Sequence, residues 1–190
     1  MLVVIAILAS LLMLLFPAVM RALDRGHATR CNANLRQIGI AQFVYSTEHH
    51  GRFTRTWQTG SQERTWQERL APYIATAIRT DPANVLSCPL REPSPEGANL
   101  ASYAMNVFTT WPEWDFRVEA VPVPGNTILL GDCIESNSDI MYYADRDQTW
   151  GVPGFRHARE TVANMLFCDG SARGMTKEEL MLNSGRWRWW

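Results

Sequence analysis

Residues 2–20, LVVIAILASLLMLLFPAVM, constrain the chain more than any other stretch. They carry no charge, and only Ser10 and Pro17 are neither aliphatic, Met nor Phe. At about 1.5 Å per helical residue the run covers about 28 Å, close to the hydrocarbon thickness of a bilayer. Every charged side chain lies beyond Met20, so an apolar anchor is followed by an ordinary soluble sequence. A cleaved secretory signal would carry a basic leader, a shorter apolar core and a small-residue cleavage site. None of these is present around residues 2–20. A single-pass anchor and an anchor that can leave the bilayer for a helical bundle both remain open.

Helical character continues past the anchor. Residues 22–49 contain no proline, and Ala28, Cys31, Leu35, Ile38, Ala41, Gln42 and Tyr45 recur at spacings of three and four, one apolar stripe. Arg30, Asn34, Arg36 and Gln37 lie off that stripe, and Gly51 is a C-terminal stop. Anchor and stripe together predict one helix of nearly 50 residues, about 70 Å long. After Gly51 the chain turns polar and breaks into short pieces. Thr65 and Glu68 form a capping box before a short helix limited by Pro72. Residues 81–95, with Pro82, Pro89, Pro93 and Pro95, read as loop. Residues 102–106 read as a short extended piece and 118–123 as an edge strand, because Pro122 has no ladder donor. Strands are expected at 127–131, 140–143, 161–167 and 171–175, with Asp169-Gly170 as a tight hairpin between the last two. Thr176 and Glu179 make a second capping box, opening a helix through Leu182. Arg and Trp crowd residues 186–190, a composition at home at a lipid interface or packed on the domain.

The chain thus divides into 1–20, an anchor or filament-core half of a helix; 21–50, the soluble half of the same helix; and 51–190, a globular domain. The 190 residues leave about 170 for one modest core, and a net charge of −1 creates no field that would recruit nucleic acid. The four cysteines, Cys31, Cys88, Cys133 and Cys168, include no C-x-x-C pair, which argues against a zinc ribbon or thioredoxin-type site. Two disulfides in an oxidising compartment or four buried thiols both fit. Arg21, Arg25 and Arg30 flank the anchor on its C-terminal side, which by the positive-inside rule would hold the domain in the cytoplasm.

The run 2–20, with Pro17 where a helix-kinking proline is tolerated, resembles the apolar segment of type IV pilins and type II secretion pseudopilins. In that family a peptidase site, Gly-Phe-Thr-Leu-Ile-Glu, directly precedes such a run; it would lie before Met1. As the chain stands it lacks the family's glutamate, which neutralises a neighbour's N-terminal amine, and assembly without it is expected to be impaired. Cys31, Asn34, Leu35, Arg36, Gln37, Gly39, Tyr45 and Gly51 are similar to the pattern of the prepilin-type N-terminal cleavage/methylation proteins. So are the Trp66 to Tyr73 and Ser102 to Asn106 segments. His157, Asp169 and Gly170 resemble the C-terminal His-x9-Asp-Gly-His signature of that group, with eleven residues in place of nine and Ser171 in place of the second histidine.

The resemblance implies a pilin-like α+β fold, a long N-terminal helix on a small antiparallel sheet. It also implies a structural subunit of a type IV pilus-like or type II secretion filament, held in the inner membrane with its domain outside the cytoplasm. Its partners would be the lipid bilayer and other pilin-like subunits. The alternative is an anchored extracytoplasmic binding domain that does not polymerise. Cys31 and Cys88 recur together in the group's pattern, which implies a Cys31–Cys88 disulfide. Cys133 and Cys168, each beside an aspartate at a strand end, would form the second if those strands are neighbours. No cofactor is expected, although Asp132, His157 and Asp169 could converge on calcium or another divalent cation, with Asp145 and Asp147 as further oxygen donors. The competing reading is that Asp169 caps the hairpin and His157 bonds locally. No Gly-x-Ser-x-Gly, phosphate-cradling loop or His-Glu-x-x-His is present, and a triad of Asp132, His157 and Ser171 is only one of many that could be drawn, so catalysis is not expected.

Overall fold

The computed structural model describes residues 2–55, 65–74, 84–90, 102–106, 117–133, 140–141 and 153–182. Its first element, α1 (Leu2–Glu48), is a single helix of 47 residues with Pro17 inside it. Proline has no N–H to offer the carbonyl of Met13, yet the helix runs on through this position. Hydroxyls within α1 bond back to the preceding turn, Ser10 Oγ to the Ala6 carbonyl at 2.8 Å and Thr29 Oγ1 to that of Arg25 at 2.9 Å. The helix ends where the backbone enters the left-handed region at His50 (φ 56°) and Gly51 (φ 77°). The Gly51 N–H turns back to the Ser46 carbonyl at 2.8 Å, as the expected glycine stop requires.

Two halves of α1 meet different surroundings. Residues 2–20 are exposed all round, and α1 is long and apolar enough to cross a membrane, with none of its most apolar window buried. The second half is packed by the domain from Cys31 onward, through Leu35, Ile38, Ala41 and Tyr45. Burying Leu35 and Ile38 removes about 2 kcal/mol each of unfavourable hydration. Gly39 permits the closest approach, since a Cβ there would stand 3.1 Å from Leu166 Cδ1. Asn34, placed off the stripe by its polarity, is buried too, because its amide donates to the Ser87 carbonyl at 3.0 Å.

A capping box at Thr65 and Glu68 opens α2 (Trp66–Leu70), and a 3₁₀ turn, Ala71–Tyr73, follows through Pro72. Strands β1 (Tyr103–Asn106), β2 (Ile128–Asp132), β3 (Ile140–Met141), β4 (Val162–Phe167) and β5 (Ala172–Thr176) form one sheet in the order β3-β1-β2-β4-β5. The β1-β2-β4-β5 pairs are antiparallel; the two-residue β3 joins the β1 edge in parallel. The fold is therefore α+β, a long helix packed on a small antiparallel sheet. The expected edge strand at 118–123 is instead a 3₁₀ turn, Val118–Ala120. A further turn follows, in which Asn126 and Thr127 both donate to the Val123 carbonyl. Pro122 and Pro124 remove two donors from this stretch, leaving too few for a ladder.

Between β4 and β5 the Phe167 carbonyl accepts from Gly170 and the Phe167 N–H bonds Ser171. Gly170 sits at φ 83°, so the predicted hairpin is present as a three-residue loop with a left-handed glycine. Thr176 and Glu179 cap α3 (Lys177–Leu182) through reciprocal bonds of 2.8 and 3.2 Å. Alternation along β4 sends Leu166 toward α1, into a core with Leu35, Ile38, Met105, Leu130 and Trp66. Ala163, Met165 and Phe167 point to the other face, with Ile128, Cys133 and Leu180. Residues 107–116, 142–152 and 183–190, including Asp145, Asp147, the Trp111 loop and the Arg/Trp tail, lie outside the described residues.

Candidate functional site

Four side chains from four separate segments converge where the packed half of α1 begins. Cys31 is the first buried residue of α1, Cys88 sits in the 84–90 loop, Asp132 ends β2, and His157 stands in the segment leading to β4. All four are buried, and one ligand atom from each lies within 4.8 Å of all the others. His157 Nε2 is 3.2 Å from Asp132 Oδ2 and 3.4 Å from Cys88 Sγ. Cys31 Sγ is 3.5 Å from Asp132 Oδ1 and 3.0 Å from the Tyr103 hydroxyl.

Backbone structure aims each of these groups. Tyr103 and Asp132 are directly paired across β1 and β2, so both side chains leave the same sheet face, toward α1. Asp132 Oδ2 also accepts the Asn164 N–H of β4 at 2.8 Å, which fixes its rotamer. The Cys88 N–H donates to Ser102 Oγ at 2.9 Å, while the Ser102 N–H bonds Leu86 and its carbonyl receives Cys133. Gly131 leaves room for β4: a Cβ there would overlap Met165 Sδ and stand 2.8 Å from the Asn164 carbonyl.

His157 is held more forcibly. Its N–H and carbonyl pair with Val162 across a reversal in which Ala158, Arg159 and Glu160 all have left-handed φ, 49°, 59° and 66°. None is glycine, and the left-handed conformation costs roughly 1–2 kcal/mol for each such residue. Strain concentrated beside a buried, convergent histidine is the kind of feature that accompanies a functional constraint.

The electrostatics follow from burial and proximity. Cys88 is pulled down to about 6, chiefly by its hydrogen bond with Cys31; burial opposes this and the bond to His157 reinforces it. Burial pushes His157 down, but the bonds to Asp132 and Cys88 and their negative charge outweigh it and raise the ring to about 9. Cys31 is pushed far above its ordinary range, first by burial, then by its bond to Cys88 and the charge on Asp132 and Cys88. Burial, then the charge on Cys31, also drives Tyr103 well up. The cluster therefore gives up a proton more readily at Cys88 than at Cys31 or Tyr103, and favours holding one on His157.

Both polar partners of His157 share Nε2, and Nδ1 has no hydrogen-bond partner among the described residues. A nucleophile–His–carboxylate relay instead places its partners on opposite ring nitrogens. The geometry is a point of convergence, not a relay. Ser171, the third member of the triad drawn from sequence, lies in the β4–β5 hairpin at the opposite end of the sheet.

Of the three expected metal ligands, Asp132 and His157 come together and Asp169 does not. Asp169 is exposed in the hairpin, its Oδ1 accepting the Ser171 N–H at 2.8 Å, about five strand residues or roughly 16 Å from Asp132's partner Asn164. It caps a turn. The third and fourth members are cysteines, which were expected as a disulfide.

No disulfide is present; all four cysteines are thiols. Cys31 and Cys88 do meet. Cys133 and Cys168 do not, because β2 and β4 are antiparallel and their C-terminal ends lie at opposite ends of the sheet: Cys168 bonds Thr127 while Cys133 bonds Ser102. The two sulfurs also face different cores. Sequence reading missed Tyr103 and Asn164 as supports. The only signal for Tyr103 was its place in the 102–106 segment, which gave no register against Asp132.

Fold and cluster together define a class, an α+β domain carried on a long, partly bare helix, with a buried constellation of two cysteines, a histidine and an aspartate at the junction. In comparisons with protein-family models, curated proteins and solved structures, nothing matches this chain.

Proposed function

We propose that this chain is a membrane-anchored, pilin-like structural subunit whose domain faces outward from the inner membrane and whose apolar half-helix bundles with those of other copies or related subunits. The reading is supported above all by the continuity of α1: 47 residues of one helix, bare and apolar over 2–20 and packed by the domain from Cys31 onward. A helix with no charge and full exposure over about 28 Å must be covered by lipid or by like helices. On the packed half, Ile40 and Val44 remain exposed one turn apart and extend an apolar contact line beyond the membrane segment. A tether for an independent binding domain needs no helix that runs unbroken from anchor into core.

Photo-crosslinking in the membrane tests this. With a photoreactive amino acid at Leu11, the full chain expressed at native-like levels is expected to give a ladder of crosslinked multimers on irradiation. Crosslinks to lipid alone, with every protein band at monomer size, would sink the filament reading in favour of the anchored binding domain. A periplasmic reporter fused to the C-terminus that stays inactive would overturn the outward orientation.

A further inference from the structure

We infer that Cys31, Cys88, Asp132 and His157 form a structural site for a tetrahedral divalent cation of zinc type, which clasps α1 to the sheet at the point where the helix leaves the domain. The inference is independent of whether the chain polymerises.

Donor chemistry is the first support. Two thiols, an imidazole and a carboxylate are borderline-soft ligands suited to zinc, whereas calcium takes six to eight oxygens. Spacing is the second. With Zn–S about 2.3 Å and Zn–N and Zn–O about 2.1 Å, a tetrahedron has S–N and S–O edges of about 3.6 Å and an N–O edge of about 3.4 Å. With Asp132 Oδ2 as the single oxygen vertex, the structure places Cys88 Sγ and His157 Nε2 3.4 Å apart, Cys31 Sγ and Oδ2 3.8 Å apart, and Nε2 and Oδ2 3.2 Å apart. Each is within about 0.2 Å of the tetrahedral edge it would form.

Support from surrounding groups is the third. Metal ligands are oriented by a second layer of hydrogen bonds. Here the Asn164 N–H holds Asp132, the Tyr103 hydroxyl holds Cys31, and the backbone of Cys88 is tied to Ser102. The strained reversal at 158–160 turns His157 so that the same Nε2 meets both neighbours. A disulfide between Cys31 and Cys88 would use neither Asp132 nor His157, and would leave a buried acid–base pair without the partner its geometry addresses. Closed by four protein ligands and buried throughout, the site leaves no open position for substrate, which makes its role structural.

The test uses the full chain in detergent micelles, purified anaerobically from zinc-replete cells without chelator. Mass-spectrometric metal analysis is expected to find close to one zinc per chain. Replacement by Co²⁺ is expected to give the visible bands of a tetrahedral site with a thiolate-to-cobalt charge-transfer band. Cys88→Ser and His157→Gln should lose most of the bound metal. Cys168→Ser, at the other end of the sheet, should keep it. Wild-type chain without stoichiometric zinc and without cobalt–thiolate absorption would overturn the site, and that result does not depend on any variant folding. Peptide mapping that recovers a Cys31–Cys88 disulfide from the same preparation would overturn it equally.

Discussion

Replacing Asp132 by alanine in chelated, metal-free protein asks how strongly the protein's own interactions hold the cluster together. The carboxylate is fully buried and serves three groups: His157 at 3.2 Å, the Asn164 N–H at 2.8 Å and Cys31 at 3.5 Å. Removing one partner of a buried ion pair costs about 3–5 kcal/mol, because the charge left behind has no compensation. The orphaned Asn164 N–H overlaps with that figure and does not simply add to it. Taking about 4 kcal/mol, and about 2–4 °C per kcal/mol for a chain of this size, the melting temperature should fall by on the order of 10 °C. Circular dichroism melts of wild type, Asp132→Ala, His157→Ala and the double variant in the same detergent measure it. The double variant should be less destabilised than the sum of the singles by at least about 1 kcal/mol, since the two side chains interact. A loss under about 2 °C, or strict additivity, would show that the pair contributes no buried coupling.

Three further outcomes follow from the geometry. Gly131→Ala should cost about 2–3 kcal/mol and broaden amide resonances of β2 and β4, because a Cβ there overlaps Met165 Sδ and meets the Asn164 carbonyl at 2.8 Å; a wild-type melt would show the strands are not so close. Glu160→Gly should raise stability by about 1 kcal/mol, since φ is 66° at an exposed residue whose side chain strains the backbone; a destabilised variant would contradict the left-handed reversal. Non-reducing peptide mapping should recover no Cys133–Cys168 linkage, and finding one would mean that β2 and β4 are not paired as described.

The large features were legible in the sequence because each has a local physical cause. An uncharged run, a stripe at spacings of three and four, two capping boxes and Asp169-Gly170 each dictate their own backbone, and α1, α2, α3 and the β4–β5 hairpin stand where those signals put them. The site was half legible. Asp132 and His157 end or precede strands, where side chains from different segments can meet. That Asp132 turns toward α1 depends on the register shift between Ile128 and Leu130, and that His157 turns inward depends on a left-handed reversal at three non-glycine residues. Neither has a sequence signature. Asp169 was grouped with them because a turn aspartate and a ligand aspartate look the same in one dimension. Cys31 and Cys88 carried a signal for proximity, and sequence alone does not say whether two nearby thiols bond each other or face a third and fourth group.

Everything proposed for this chain's assembly rests on α1 being one rigid rod from bare anchor to packed core. Spin labels carried on unnatural amino acids at Leu15 and Val44, two exposed positions, leave the native cysteines untouched and bracket Pro17, Gly26 and the junction at Cys31. Their pulsed electron–electron distance, measured in lipid nanodiscs, should be about 44 Å with a narrow distribution, the rise of a continuous helix between them. A mean well below that, or a broad distribution, would mean that the helix breaks between membrane and domain, and the anchor would then be a tether and not the core of a filament.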